Sequence, residues 1–483
     1  MKDLLKGFIE AWKCLMADYE GGYSPLTLAV KEGHMDAVRD LVELGADVNH
    51  VDRDGYTPLE RAIADNNVHM IHFLVKLGAH VISPEKYIIP SPPVLVAARM
   101  GRVPALRTLV ELGGDVNCSD MNGFTPVCVA AKEGNVDIIR ALSELGVDIN
   151  TPDVRGRTPV CIAAGMGRIN AISALAELGA KLNLHTGDGF TPMHSACWDG
   201  QVEAIRMLAA LGADINSLDV CGNTPLYAAS GKGKAYAVRV LAELGADINT
   251  TSACGCTPMY AASENGKINV IRELVKHGAN VNSPDHDGRT PLYMAACESK
   301  LDTIRALVEL GADPNTPTND GCSPMYNAAW DGLVDVIEVL FELGANVNTP
   351  DEDGRTPVYV SAGNGKVRAL KTLAKLGANI NTATTSGCTP LYNAAWNGQT
   401  QSIRALVERG ANVNTSDQYG RTPVSIAAEQ GKVDAIRLLV RLGADVNTSD
   451  EQQRTPLAIA AMHGRLPVVK LLVELRANVD AGS

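Results

Sequence analysis

The chain has 483 residues, of which 46% are hydrophobic and only 4% aromatic, and its formal net charge is −12. This acidic balance argues against a nucleic-acid-binding protein, which normally presents a basic face, and against docking on an anionic membrane surface. No run of about 18 apolar residues is present, so we expect no membrane-spanning helix.

The first 22 residues predict an amphipathic helix. Its apolar stripe follows helical spacing and consists of Leu4, Leu5, Phe8, Ile9, Trp12, Leu15 and Met16. We interpret residues 1–22 as an N-terminal capping helix, and a helix that docks on a partner or a membrane is the alternative. Charged residues interrupt the apolar stretch, so it does not resemble a signal peptide.

A 33-residue unit recurs over residues 23–480. Its marker is Ser/Thr-Pro, and every step between copies is 33 residues except the step from Thr57 to Pro92, which is 35. The fourteen copies begin at Ser24, Thr57, Pro92, Thr125, Thr158, Thr191, Thr224, Thr257, Thr290, Ser323, Thr356, Thr389, Thr422 and Thr455. A fixed period of this size predicts a solenoid in which each unit contacts mainly its neighbours.

The copy that begins at Thr125 illustrates why each unit predicts two helices. Thr125 is a suitable N-cap, Pro126 suits the first helical position, and Gly134 ends the helix. A second helix is predicted over residues 136–145, followed by a short extended piece over residues 147–150. The predicted buried face of the second helix consists of Ile138, Ile139, Leu142 and Leu145.

A tight turn with the pattern Asp-x-x-Gly follows this extended piece. Aspartate first and glycine fourth is the residue preference of a type I turn. The pattern recurs at Asp52, Asp153, Asp219, Asp285, Asp351 and Asp417. Each turn predicts a hairpin-like finger between successive units.

The unit resembles the ankyrin repeat. The resemblance rests on Asp-x-x-Gly-x-Thr-Pro, Ala-Ala-x-x-Gly and Leu-Gly-Ala-Asp/Asn-Val/Ile-Asn, which agree in most copies over residues 23–480. It implies an all-α solenoid of tandem helix-turn-helix repeats with protruding β-hairpin-like fingers. It also implies that protein partners bind in a groove lined by the finger tips, the residue before Thr-Pro and the end of each first helix.

Two parts of the array depart from this pattern. Residues 81–92 are longer and lack the Asp-x-x-Gly turn, and their prolines forbid a regular finger. We interpret this segment as a tolerated insertion, with a bend of the stack or a distinct small site as alternatives. The last repeat, residues 455–480, replaces the usual glycine with Arg476 and carries Arg465 and Lys470 on its second helix. These features predict a C-terminal cap with a wetter outer face.

Large aromatic residues occupy two groove positions. Trp198, Trp330 and Trp396 directly follow Ala-Ala or its equivalent, and tryptophan is enriched at binding hot spots. Packing over the neighbouring helix is the alternative. The third residue after the cap is tyrosine in six successive repeats, at Tyr227, Tyr260, Tyr293, Tyr326, Tyr359 and Tyr392. The resemblance implies a structural ladder across the repeat junctions, which would offer hydroxyls to the groove where it stays open.

The residue before Ser/Thr-Pro follows a second period of 66 residues. It is arginine at Arg289, Arg355 and Arg421 and cysteine at Cys256, Cys322 and Cys388. Arg157 occupies the same position earlier in the chain. Solvated mixed charge beside finger carboxylates is the simplest interpretation of these arginines, and bidentate contacts to an acidic peptide are the alternative. The period itself indicates either duplication of a two-repeat block or a partner with matching periodicity.

The sequence contains no evident catalytic or metal-binding constellation. There is no phosphate-binding glycine-rich loop or nucleophile elbow, and Cys254-Gly-Cys256 lacks the second pair that a zinc site needs. We therefore expect a protein that is not an enzyme and needs no cofactor or metal. Its eleven cysteines require no disulfide framework, so we expect a reducing, cytoplasmic location.

These observations together favour a non-catalytic scaffold that binds one or more proteins through a concave groove and its finger tips. A structural or elastic spacer inside a large assembly is the alternative, and a subunit that blocks an enzyme's active site is a weaker third hypothesis. The sequence leaves the oligomeric state open, including a monomer within a larger complex.

Overall fold

The computed structural model describes residues 24–82 and 91–480, which form 28 helices in fourteen pairs, one pair for each predicted repeat. Repeats 1–7 contain α1 (Pro25–Lys31), α2 (Met35–Glu43), α3 (Pro58–Ala64), α4 (Val68–Lys76), α5 (Pro93–Arg99), α6 (Val103–Glu111), α7 (Pro126–Glu133), α8 (Val136–Glu144), α9 (Pro159–Gly165), α10 (Ile169–Glu177), α11 (Pro192–Asp199), α12 (Val202–Ala210), α13 (Pro225–Gly231) and α14 (Ala235–Glu243). Repeats 8–14 contain α15 (Pro258–Glu264), α16 (Ile268–Lys276), α17 (Pro291–Cys297), α18 (Leu301–Glu309), α19 (Pro324–Asp331), α20 (Val334–Glu342), α21 (Pro357–Gly363), α22 (Val367–Lys375), α23 (Pro390–Asn397), α24 (Thr400–Val407), α25 (Pro423–Glu429), α26 (Val433–Arg441), α27 (Pro456–Met462) and α28 (Leu466–Glu474). Over the same residues the chain forms no strand, so the predicted all-α class is confirmed.

The first helix of a repeat begins as the Thr-Pro pattern predicts. In α7, the Thr125 hydroxyl accepts a hydrogen bond from the backbone N–H of Cys128, and Pro126 lies at the first helical position. Gly134 caps the other end with a left-handed φ of 84°, a conformation that a residue with a Cβ adopts only at a cost. Capping at both ends compensates for the shortness of this helix, which would be unstable alone.

The second helix buries most of its predicted apolar face. In α8, Ile138, Ile139 and Leu142 are fully buried, whereas Leu145 is the half-buried C-cap residue. The extended piece predicted over residues 147–150 is wrong, because the backbone turns there. The N–H of Thr151 donates to the carbonyl of Asp148 at 3.1 Å, and the Asp148 carboxylate accepts from the N–H of Asn150.

A closed turn forms each finger, and we number each finger with the helix pair that follows it. In repeat 5 the N–H of Gly156 donates to the carbonyl of Asp153 at 2.9 Å, and the N–H of Asp153 donates to the carbonyl of Arg157 at 3.0 Å. This is a hairpin of two main-chain hydrogen bonds. Neighbouring fingers are also joined by main-chain bonds, for example from the N–H of Asn319 to the carbonyl of Asp287 at 3.0 Å.

Asparagines at the end of the Leu-Gly-Ala motif add a second connection between repeats. The Asn315 side chain accepts from the N–H of Asn346 at 2.7 Å and donates to the carbonyl of Gly344 at 3.3 Å. Equivalent acceptor bonds are made by Asn49, Asn150, Asn183, Asn216, Asn249, Asn282, Asn348, Asn414 and Asn447. The repeats are therefore joined by polar bonds as well as by their apolar core.

The helices divide into two compact units. One contains the described residues up to Ala229 together with Lys234–Asp247, and the other contains Ser230–Gly233 and the described residues from Ile248 onward. Within each unit, the main packing contacts of the described helices lie inside one repeat or between adjacent repeats. This is the short-range packing expected of a solenoid.

Two of the predicted segments lie wholly or largely outside the residues that the structure describes. The capping helix predicted over residues 1–22 and most of the insertion at 81–92 lie outside the described residues. In the last repeat, Met462, Leu466 and Val473 are exposed alongside Arg465 and Lys470, so its surface is mixed rather than uniformly polar. None of the described helices is both long and apolar enough to cross a membrane.

Candidate functional site

Three tryptophans share one repeat register, each one residue before the end of a first helix, in α11, α19 and α23. Trp198, Trp330 and Trp396 are 40%, 47% and 40% exposed. Trp198 contacts the Phe190 ring edge-to-face at 5.5 Å between centroids, and Trp330 stacks on Tyr326 at 6.5 Å. Each tryptophan is therefore partly packed against its neighbours and partly open to solvent. Trp330 and Trp396 lie in the second unit and Trp198 lies in the first.

The tyrosines lie deeper than the tryptophans. Tyr260, Tyr293, Tyr326 and Tyr392 are buried, and Tyr227 and Tyr359 are half-buried. Each is the third residue of its helix, and its backbone N–H donates to the hydroxyl of the capping Thr or Ser. Their placement supports the structural ladder more than direct contact with a partner.

Each predicted arginine donates to the aspartate that opens its own finger. Arg355 Nε lies 2.7 Å from the Asp351 carboxylate and a terminal nitrogen lies 2.9 Å from Asp353. Asp351 also accepts from two backbone N–H groups and its side chain is inaccessible to solvent. Arg157, Arg289 and Arg421 make the same bond to Asp153, Asp285 and Asp417. These guanidinium groups are thus already engaged within the chain, which weakens the acidic-peptide alternative.

The 66-residue period has a structural counterpart in the second unit. The Tyr392 hydroxyl donates to the Asp417 carboxylate of the next repeat at 3.0 Å, and that carboxylate also binds Arg421. Burial raises the pKa of Tyr260, with further contributions from Cys256 and then Asp285, and burial followed by Asp351 raises the pKa of Tyr326. At alternate boundaries of the second unit, a buried tyrosine therefore faces the aspartate that binds the finger arginine.

The intervening junctions are built differently. Thr318 and Thr384 replace the finger aspartate there, and Cys322 and Cys388 replace the arginine. The facing hydroxyls of Tyr293 and Tyr359 make no hydrogen bond to any described residue, and burial raises the pKa of Tyr359 to about 12. Two kinds of junction therefore alternate in step with the 66-residue period.

A cavity of about 400 Å³ opens beside Trp330. We call it the Trp330 cavity and define it by Asp320, Tyr326, Trp330, Glu352, Asp353 and Arg355. The finger of repeat 10 supplies Asp320, and the finger of repeat 11 supplies the last three residues. Adjacent fingers and the end of one helix thus enclose a single site, as the groove positions implied by the resemblance would.

The Cys254-Gly-Cys256 pair lies in the finger of repeat 8. The two sulfur atoms are 3.0 Å apart, and hydrogen bonding with Cys256 and then with Ser252 lowers the pKa of the exposed Cys254 thiol. Burial raises the pKa of Cys256 to about 12. No group of three or more metal-ligating side chains occurs in the described parts of the chain.

Sequence reasoning missed two sets of residues that hold the fingers and the repeats together. It treated the finger aspartates only as turn formers, although they bind the finger arginines and Asp417 also accepts from the Tyr392 hydroxyl of the preceding repeat. It also gave no role to the bridging asparagines. The sequence did contain a signal for both sets. The same polar side chain recurs at one position of the repeat, and a turn alone does not require that side chain.

Comparison with known proteins finds ankyrin repeats over most of the chain. A family model described as ankyrin repeats (3 copies) matches residues 145–219, 180–252, 211–285, 227–318, 259–351, 325–417 and 414–483. Two models described as ankyrin repeats (many copies) match residues 26–75 and 109–163. The crystal structure of the human ASB11 ankyrin repeat domain is 32% identical, with a TM-score of 0.42, and the match covers 47% of this chain and 100% of that domain. None of the curated proteins compared matches this chain.

Proposed function

The chain belongs to the ankyrin repeat family, and we propose that it is a non-catalytic scaffold that binds one or more partner proteins through the groove and finger tips of its repeats. Ankyrin repeats are generally protein–protein interaction modules, and proteins of this family are generally non-catalytic. The observation that carries the proposal is the 40–47% exposure of three tryptophans at one structural register. Exposed tryptophans are costly to leave in water and frequent at interface hot spots.

The predicted site residues divide into two roles in this proposal. Trp198, Trp330 and Trp396 contact partners directly. The arginines and tyrosines position the fingers, since their polar groups bind Asp153, Asp285, Asp351 and Asp417 or pack within the junctions. We also propose a reducing, cytoplasmic setting, which suits the ten described cysteines, all of them thiols and several of them buried.

Co-purification from a native extract tests this function. The full chain with Trp198→Ala, Trp330→Ala and Trp396→Ala is expected to lose its partners while keeping its helical circular dichroism. The matched control is Tyr236→Ala with Phe341→Ala, which removes two exposed aromatics from the second helices α14 and α20. That control is expected to retain the partners.

The spacer hypothesis predicts the opposite pattern. Partner recovery would survive the triple tryptophan substitution and fail on removal of residues 1–20 or of the last repeat. That result would replace the groove with the chain ends as the contact region.

A further inference from the structure

The Trp330 cavity combines an aromatic wall with an excess of negative charge. Trp330 is 47% exposed, its ring stacks on Tyr326 and it lines the cavity, so part of an indole surface is open to a ligand there. Such a face attracts a cation that lies within about 6 Å of the ring centre. An uncharged apolar ligand would use the ring equally well, so the charges decide what the cavity selects.

The charged groups of the cavity are three carboxylates and one guanidinium. Arg355 is held by Asp351 and Asp353 at 2.7 Å and 2.9 Å, so its charge is compensated within the chain. The exposed carboxylates of Asp320 and Glu352 form no ion pair with any described residue. They leave an uncompensated negative potential beside the indole ring.

An equivalent set of residues one 66-residue period later lacks these three carboxylates, and the extra carboxylate nearby, Glu429, lies 3.6 Å from Arg421. Tyr392, Trp396 and Arg421 repeat the aromatic pair and the arginine of the Trp330 cavity. The three carboxylates Asp320, Glu352 and Asp353 are replaced there by Ser386, Gln418 and Tyr419. The two sites share a scaffold and differ in charge, so the chain contains its own comparison.

We propose that the Trp330 cavity binds a lysine or arginine side chain on an extended segment of a partner protein. This inference rests on the proposed scaffold function and names the chemistry of the partner. The cationic head lies over the exposed part of the Trp330 indole, between the Asp320 and Glu352 carboxylates. The equivalent site at Trp396 has no carboxylate at these three positions and does not select a basic side chain.

Tryptophan fluorescence of the full chain tests the proposal directly. The substitutions Trp12→Phe, Trp198→Phe and Trp396→Phe leave Trp330 as the reporter, and a second variant with Trp330→Phe in place of Trp396→Phe leaves Trp396. The probes are the acetylated, amidated tripeptide Gly-Lys-Gly and its norleucine analogue. We expect the lysine peptide to change Trp330 emission saturably with a Kd of about 1 mM, a value typical of a single weak contact. The norleucine peptide is expected to bind at least about fivefold more weakly, which is the loss of one cation–π contact.

Two sets of substitutions separate charge from shape. Asp320→Asn with Glu352→Gln is expected to weaken the lysine peptide at least about fivefold while circular dichroism stays unchanged. Ser386→Asp with Gln418→Glu is expected to make the Trp396 reporter respond to the same peptide. Raising the salt concentration is expected to weaken both responses.

Three outcomes would overturn the proposal: no saturable Trp330 response up to about 20 mM lysine peptide, ten or more times the expected Kd; equal binding of the norleucine peptide; or an equal response from the unmodified Trp396 site. Because these titrations use a defined peptide, they do not depend on capture of a native partner. If the Trp330 site does not prefer the lysine peptide but the triple tryptophan variant still fails to bind partners, only this inference is refuted. Retained partners in that variant would remove the scaffold function alone.

Discussion

A buried aspartate organises the fingers that carry arginine before Thr-Pro. The Asp417 carboxylate accepts from the backbone N–H groups of Tyr419 and Arg421, from the Arg421 guanidinium and from the Tyr392 hydroxyl. A buried carboxylate is costly unless its acceptor positions are filled. Here the charge is compensated by arginine, and the tyrosine of the preceding repeat completes the set.

Removing one hydroxyl from this set has a measurable cost. We expect Tyr392→Phe to lower the free energy of unfolding by about 1.5–3 kcal/mol, the range for a hydrogen bond to a charged group. Tyr359→Phe is the matched control, because the Tyr359 hydroxyl has no hydrogen-bond partner among the described residues, and it is expected to cost less than about 0.5 kcal/mol. Hydrogen exchange of the amides in repeats 12 and 13 measures the difference. Equal effects of the two substitutions would show that the bond to Asp417 adds nothing.

At the scale of the element, each repeat joins its neighbour through the finger as well as through the helices. Gly288 has a left-handed φ of 81°, and a Cβ there would lie 2.6 Å from the backbone nitrogen of Asn319. That nitrogen donates to Asp287 across the junction at 3.0 Å. The absence of a side chain at Gly288 is therefore needed for two reasons, backbone conformation and close approach.

These two reasons can be separated by two alanine substitutions. Gly278 has a similar φ of 87°, but a Cβ added there would meet no atom within 4 Å, so Gly278→Ala is expected to cost only about 1–2 kcal/mol of conformational strain. Gly288→Ala is expected to cost at least about 1 kcal/mol more, because the finger of repeat 10 must move. Urea unfolding followed by circular dichroism measures both. Equal costs would mean that the finger contact yields without penalty.

At the scale of the whole molecule, stability is distributed over many short-range contacts. The main packing contacts of the described helices within each unit stay inside a repeat or reach the next one. The solvent-exposed Arg–Glu pairs between successive second helices, such as Arg305 with Glu342 at 2.8 Å, also reach only one repeat. Such exposed pairs contribute about 0–1 kcal/mol each, so the apolar contacts between helices dominate.

Damage to one repeat is therefore expected to stay local. Leu307→Ala removes a fully buried side chain of α18 and is expected to cost about 2–5 kcal/mol. Hydrogen exchange should accelerate in repeats 8–10 and stay unchanged in repeats 3–5. Leu142→Ala in α8, also fully buried, should show the reverse pattern. Uniform acceleration across both units would indicate a single cooperative block instead.

Much of the fold could be predicted because it depends on local rules. Each of these rules acts within a few residues: the Thr-Pro cap, the left-handed glycine after the helix and the Asp-x-x-Gly turn. Thr125, Gly134 and Gly156 were therefore sufficient to predict the start of α7, its end and the turn of the finger. The prediction of an extended piece after α8 was wrong for a related reason. The alternating pattern of Val147 to Asn150 suits a strand, but the Asp148 side chain and carbonyl close a turn instead.

The site was less predictable because its properties depend on contacts between repeats. The sequence showed that Trp330 and Arg355 share a repeat register with other residues, but not that Arg355 is held by Asp351 and Asp353 while Asp320 and Glu352 stay unpaired. Arg355 and its two partners lie in one finger, but Asp320 is 35 residues before Arg355 in the chain, and one repeat must stack on the next before both line the same cavity.

The sequence by itself determined the helix pairs, their number and their family, since a 33-residue period with capping residues in register leaves little freedom to the backbone. Only the tertiary structure decided which polar groups form hydrogen bonds or ion pairs within the chain and which are left to bind a partner. The physical reason is that a charge or an aromatic ring becomes a binding feature only through what its neighbours leave uncompensated, and in a solenoid those neighbours belong to the adjacent repeat.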